Sequence, residues 1–130
     1  MRLVVSDRLK LAGEHLRAGD SLGLSNHFRS AISRHYYAMY HAARAIVFAE
    51  EKGDDHERHS VLPRHLPSTL SDARLWEVRL TDARLLRNQA DYDPYPAGPK
   101  EWATDSRILA VTAAQFLAAC ENFALTNGHV

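Results

Sequence analysis

Residues Ser25 to Glu51 carry one unbroken helical pattern that leaves almost no face for water. At about 100° per residue, Ile32, Tyr36, Met39, Ala43, Ile46 and Val47 share one wide apolar face, the core surface of an amphipathic helix. Ala31, Ala38, Ala42, Ala45 and Ala49 form a second stripe, whose small side chains let another helix backbone approach closely. Arg34, Tyr37, His41 and Arg44 make a narrow third stripe nearly opposite the large apolar residues. A helix with so little polar surface is expected to be surrounded on several sides, by its own bundle and by a second subunit.

The rest of the chain supplies the surrounding elements. Val5, Leu9, Ala12 and Leu16 recur at helical spacing and stop before Gly19-Asp20, which predicts a first helix ending near Ala18. Ser21 to Ser25 then reads as a connection, with Ser25 the N-cap of the central helix. Gly53-Asp54-Asp55 ends that helix near Glu51. Arg58 to Leu66 contains Pro63 and is closed by Pro67, so a short or irregular helix is expected there. A further helix begins after Ser71, with Asp72 in its first turn, and runs to about Tyr92. Pro94, Pro96 and Pro99 with Gly98 force an extended loop. The last helix starts at about Pro99 or Lys100 and aligns Trp102, Leu109, Ala113, Phe116, Cys120 and Phe123 on one stripe. No alternating β pattern and no internal repeat occurs. The expected class is all-α, an up-and-down bundle of four long helices with a short irregular helical insert, forming a single domain over residues 1–130.

Sixteen basic and sixteen acidic side chains cancel, so no chain-wide positive field marks a nucleic-acid binder, and any RNA site must come from local clustering. Cys120, the single cysteine, cannot form an internal disulfide and falls on an apolar stripe, which suits a buried hydrophobe in a reducing compartment. The apolar run after Met1 is too short for a signal peptide, and no segment approaches a membrane span, so a cytoplasmic protein is expected.

Two groups of polar residues carry candidate chemistry. The Arg34, Tyr37, His41 and Arg44 strip is either a solvated edge covering apolar neighbours or a cationic, aromatic wall able to hold a phosphate and stack a base. Arg87 lies on the apolar line of Trp76, Leu80 and Ala83, and a cation entering a buried stripe needs a partner. Asp91, four residues on, is placed for an intrahelical ion pair, with Arg84 and Asn88 flanking. His56 and His59 offer donors beside Asp54, Asp55 and Glu57. With neither paired thiols nor a His-Glu-x-x-His arrangement, that cluster reads as a solvated loop, and no metal is expected. No Gly-rich phosphate loop or Gly-x-Ser-x-Gly turn is present, and no cofactor is expected.

The stretch Ser33-Arg34-His35-Tyr36-Tyr37-Ala38-Met39-Tyr40-His41-Ala42-Ala43-Arg44-Ala45, followed by Leu86-Arg87-Asn88-Gln89-Ala90-Asp91-Tyr92-Asp93-Pro94, resembles the HEPN superfamily, over roughly residues 25 to 125. That resemblance implies a helical dimer, often an RNA-cleaving toxin or defence protein that needs no metal. Its members are often encoded beside a minimal nucleotidyltransferase that acts as antitoxin. The family's Arg-x4–6-His motif maps its arginine onto Arg87, but the histidine's place is taken by Asp91-Tyr92. Arg8 to His15, Arg29 to His35, Arg34 to His41 and Arg58 to His65 satisfy the spacing without the family's surroundings. The candidate catalytic set implied is Arg87, Asn88, Asp91 and Tyr92, with His41 substituting for the missing histidine. Arg34, Tyr37, Arg44 and Arg84 are the candidate RNA-binding set. The competing expectation is a non-catalytic dimeric adaptor for a partner protein or nucleotide, with Arg87 and Asp91 structural. A third is nucleotide addition at Tyr92 or Tyr95 by a partner enzyme.

Overall fold

The computed structural model describes residues 2–54, 56–93 and 99–130. Asp55, Tyr95 and the loop expected around Pro94, Pro96 and Gly98 lie outside the described residues. Four long helices are present: α1 (Arg2–Leu24), α2 (Phe28–Glu50), α3 (Ala73–Tyr92) and α4 (Pro99–Thr126), with a 3-10 helix at Leu62–His65 between α2 and α3. No strand occurs among the described residues. The all-α bundle with a short irregular insert is therefore observed.

Side-chain pairs give the helix directions. Along α1 and α2, Arg8 lies over Phe48, His15 meets His41 and Arg34, and Gly19 meets His35, an antiparallel register. Arg29 bonds to Ala90 and Asp93, while Arg87 lies over Tyr36 and Tyr37, so α3 also runs against α2. Arg107 lies over Phe28, and His129 reaches Glu50, so α4 runs along α2. The chain is thus an up-and-down bundle with α2 in contact with each other helix, while α3 and α4 lie further apart and meet through large side chains such as Trp76 and Phe116.

The expected stripes become the core. Ile32, Tyr36, Met39, Ile46 and Val47 of α2 pack with Trp76, Leu80 and Ala83 of α3 and with Leu109, Ala113, Phe116, Cys120 and Phe123 of α4. Each large apolar side chain buried this way contributes about 1.5–3 kcal/mol. The alanine stripe is buried throughout, and Ala45 and Ala49 meet Val5 and Ala124 in a second, smaller cluster. One helix among the described residues, Trp102–Thr126, is long and apolar enough by length and composition to cross a membrane. That corrects the expectation that no segment approaches such a span. Its Leu109, Ala113, Phe116 and Cys120 are core residues, and the core helix of a bundle meets the same criteria.

Two boundaries differ from expectation. Helix α1 does not end near Ala18 but continues through Gly19-Asp20 to Leu24. A helical glycine costs about 1 kcal/mol relative to alanine, yet here its missing side chain admits the His35 ring. A Cβ on Gly19 would stand 2.6 Å from His35 Cδ2. The ring is 1 % exposed, and its Nε2 pairs with Asp20 Oδ1 at 2.8 Å, so tertiary packing overrides local propensity. The helix stops instead at Asn26, which takes the left-handed conformation (φ 62°). There the His27 N–H donates to the Leu22 carbonyl at 2.9 Å and the Asn26 N–H to the Gly23 carbonyl at 3.1 Å, the bonds of a Schellman ending. Ser25 is consequently not the N-cap of α2; His27 holds that position, with no side-chain cap bond. Asp72 likewise precedes α3 as a left-handed N-cap residue (φ 59°) rather than sitting in its first turn.

Gly19→Ala should therefore invert the usual helix-propensity effect. Urea denaturation is expected to show a loss of about 1–3 kcal/mol from overpacking against His35; equal or greater stability would mean that the ring moves aside freely.

Candidate functional site

The seam between α2 and α3 brings together most of the expected polar residues. Arg87 is 8 % exposed, and its guanidinium carbon stands 5.3 Å from the Tyr36 ring centre and 5.4 Å from that of Tyr37. Its Nη1 donates to Asp91 Oδ2 at 3.3 Å, the expected pair one helical turn on. Asp91 also accepts from the Ser33 hydroxyl at 3.4 Å, while the buried Nε of Arg87 has no hydrogen-bond partner among the described residues. The cation is thus held by one carboxylate and two aromatic faces. Cation–π contacts of this kind contribute about 0.5–2 kcal/mol as water is removed.

Helix α3 is held in this position by Arg29. Its Nε donates to the Ala90 carbonyl at 2.7 Å and its Nη2 to the Asp93 carbonyl at 2.6 Å, satisfying carbonyls that the end of α3 leaves open. The same guanidinium lies over the Trp102 ring at 5.4 Å. One side chain of α2 therefore ties α3 to α4 beside Arg87.

Along α2 the third stripe becomes a wall of rings and cations. Tyr37, Tyr40 and His41 are in mutual contact, and Arg44 lies over the Tyr40 ring at 5.4 Å. His15, arriving from α1, stacks on His41 at 5.2 Å, and its Nδ1 is 3.4 Å from Arg34 Nη1. His59 comes from the segment after α2. It stacks on Tyr40 at 4.0 Å, and its Nδ1 pairs with the Tyr36 hydroxyl at 2.6 Å. The Tyr40 hydroxyl donates to the Glu57 carbonyl on the same segment. Tyr36 is thus shared, touching Arg87 with its ring face and His59 with its hydroxyl.

The expected residues divide accordingly. Arg87, Asp91, Tyr37, His41 and Arg44 belong to one contiguous cluster, and Arg84 stands close enough for its charge to act on Tyr36 and His59. Arg34 joins only through His15, Asn88 is half-buried, and Tyr92 is 74 % exposed and turned away from the buried face that carries Arg87. The position after Asp91 therefore brings no proton-transfer group to the arginine. His59 does, while His15 joins the cluster through His41 and Tyr37, and neither belonged to the expected set. The signal for His59 was the Tyr36 and Tyr40 pair, two tyrosines one turn apart on a core face whose hydroxyls require polar partners.

Burial and neighbouring cations keep these imidazoles neutral. Burial, then His15, Arg44 and Arg8, push His41 down to about 4. Burial followed by Arg87, Arg84 and Arg44 lowers His59, and burial with Arg34 lowers His15. Burial holds the Tyr36 hydroxyl well above the ordinary tyrosine value, with Arg87 opposing it, so this tyrosine stays protonated. A neutral imidazole oriented by a protonated phenol, beside a fixed cation, can accept a proton near neutral pH.

No protein-family model matches this chain, and no curated protein or solved structure matches it at a significant level.

His41 titrates at 6.5 in an unfolded chain and at about 4 here, so acidification favours the unfolded form. Its contribution to stability is level above pH 6.5 and falls as the pH drops from 6.5 towards 4. Imidazole resonances followed by NMR should place the His41 midpoint near 4, and Arg44→Ala should raise it. An unshifted His41 would show that water screens the cluster.

Proposed function

We propose that this chain is a HEPN-type protein that binds RNA and cleaves it without a metal ion, as a homodimer. The observation that carries the proposal is the convergence of Arg87 and His59 on Tyr36, which supplies the cation and the neutral imidazole that the Asp91-Tyr92 ending does not. Bases would stack on Tyr37 and His41, with Arg34, Arg44 and Arg84 meeting phosphates. In the tautomer that carries its proton on Nδ1, facing the Tyr36 oxygen, His59 presents Nε2 as base. It takes the proton of a ribose 2′-hydroxyl, the 2′-oxygen attacks phosphorus, and the 5′-oxygen leaves with a proton from water. Arg87 and Arg84 offset the added charge on the phosphate. A second copy is supported by the outer face of α3, where Leu75, Val78 and Leu85 are 45, 53 and 49 % exposed at coiled-coil spacing with Tyr92. The resemblance adds a minimal nucleotidyltransferase as the partner to test.

A second reading also rests on a specific observation. Arg87 is nearly enclosed and already paired with Asp91, as in a structural ion pair. In that reading the chain is a non-catalytic dimeric adaptor, and the cationic wall binds a nucleotide or a partner protein.

Cleavage of mixed RNA in EDTA separates the two. Wild type should cut, while Arg87→Ala and His59→Ala should each lose about 10²–10³-fold, and His41→Ala should lose less. A folded wild-type dimer that binds RNA but leaves it intact would favour the adaptor. Loss of thermal stability in Arg87→Ala, with no turnover in either protein, would complete that case.

A further inference from the structure

Where the end of α2 meets the insert, three side chains from separate backbone segments point at one spot. Glu51 caps the C-terminal end of α2, His56 follows in the connection, and His65 ends the 3-10 helix. One ligand-type atom from each lies within 4.8 Å of the other two. His65 Nδ1 is 3.0 Å from Glu51 Oε1, and His56 Nε2 contacts Glu51 Oε2. The two imidazole rings are stacked with centres 3.5 Å apart and planes within 9° of parallel. Asp54 Oδ2 stands 3.6 Å from the same His56 nitrogen, a fourth donor at the edge.

Two neutral imidazoles can each give one N–H to a separate oxygen of Glu51, and the same three side chains also form a ligand set. For both imidazoles to bond to Glu51, each must present an N–H to the carboxylate. A metal ion is the alternative occupant: with the stacked rings turned towards each other it would take a lone pair from each nitrogen and an oxygen of the carboxylate together. Four donors around a tetrahedral ion at 2.0–2.1 Å stand roughly 3.4 Å apart, a value bracketed by the 3.0 Å from His65 Nδ1 to Glu51 Oε1 and the 3.6 Å from Asp54 Oδ2 to His56 Nε2. His56 is held at φ 45°, a conformation that non-glycine residues adopt only where their surroundings fix it. Two nitrogens with carboxylate oxygens suit a borderline cation such as zinc, whereas magnesium and calcium favour all-oxygen sets.

We propose that Glu51, His56 and His65, with Asp54 at the open side, form a zinc site that clamps the end of α2 to the 3-10 helix. Sequence alone pointed away from a metal because Glu51 and His65 lie fourteen positions apart and no ligand motif joins them. The clamp closes the segment that carries His59, but its metal affinity is independent of whether RNA is cut.

Untagged protein stripped with EDTA and then dialysed should bind one equivalent of zinc by calorimetry. Cobalt in its place should give the intense visible bands of a low-symmetry four-coordinate site. The melting temperature should rise with metal concentration. Glu51→Gln and the double variant His56→Ala/His65→Ala should each weaken binding at least about 100-fold, since loss of an outer-shell group alone costs 10–100-fold. Circular dichroism would check that both variants stay helical. No stoichiometric binding by wild type would overturn the site outright. Unchanged binding in the Glu51→Gln variant would assign the metal elsewhere and overturn it equally.

Discussion

The close approach of α1 to α2 is the constraint on which the rest of the bundle depends. Helix α2 presents alanines where a neighbour must come near, and α1 answers with Gly19 at the point where the two would otherwise collide with the His35 ring. That contact fixes the register of the pair. With the register fixed, His15 is delivered to His41 and Arg34, and Arg8 to Phe48. The large apolar face of α2 is then turned towards α3 and α4, where Tyr36 and Met39 enter the core.

Burial of charge organises the second seam. Half-buried Arg29 of α2 and nearly enclosed Arg87 of α3 both lie at the seam between these helices, and each finds partners of a different kind. Arg29 is saturated by backbone carbonyls and acts as a cap and strut. Arg87 has a single carboxylate contact and an Nε without a partner, a less complete set for a group so nearly enclosed. Buried ion pairs add little net stability once desolvation is counted. A guanidinium held this way is therefore better explained by the positive potential it imposes on Tyr36 and His59 than by the energy of its bond to Asp91.

Much of this architecture was legible in the residues, and the failures share a cause. The three stripes of α2, the apolar line of α3 and the single stripe of α4 follow from helical spacing, and each meets the neighbour its character demands. The ion pair of Arg87 with Asp91 followed from a separation of one turn. Gly19 misled because propensity describes an isolated helix, while its role is set by a ring sixteen residues away. His59, His15 and the Glu51, His56 and His65 group were hidden for the same reason. Each becomes chemically meaningful only when the chain folds back, and no local motif records where a loop returns.

Net charge is the last quantity that misleads when taken for the whole chain. Sixteen positive and sixteen negative side chains sum to nothing, yet Arg34, Arg44, Arg84, Arg87 and Arg8 each act on the Tyr36, His15, His41 and His59 group. Among acids, Asp91 stands against Arg87 and Glu14 offsets the field at His15. The field of such a cluster is local, because screening restricts interactions between exposed charges to about 8–10 Å at physiological salt. Burial first, and these cations after it, keep the histidines neutral. Local positive potential and weakened imidazole basicity then arise from one arrangement, and the net charge of the whole chain records neither.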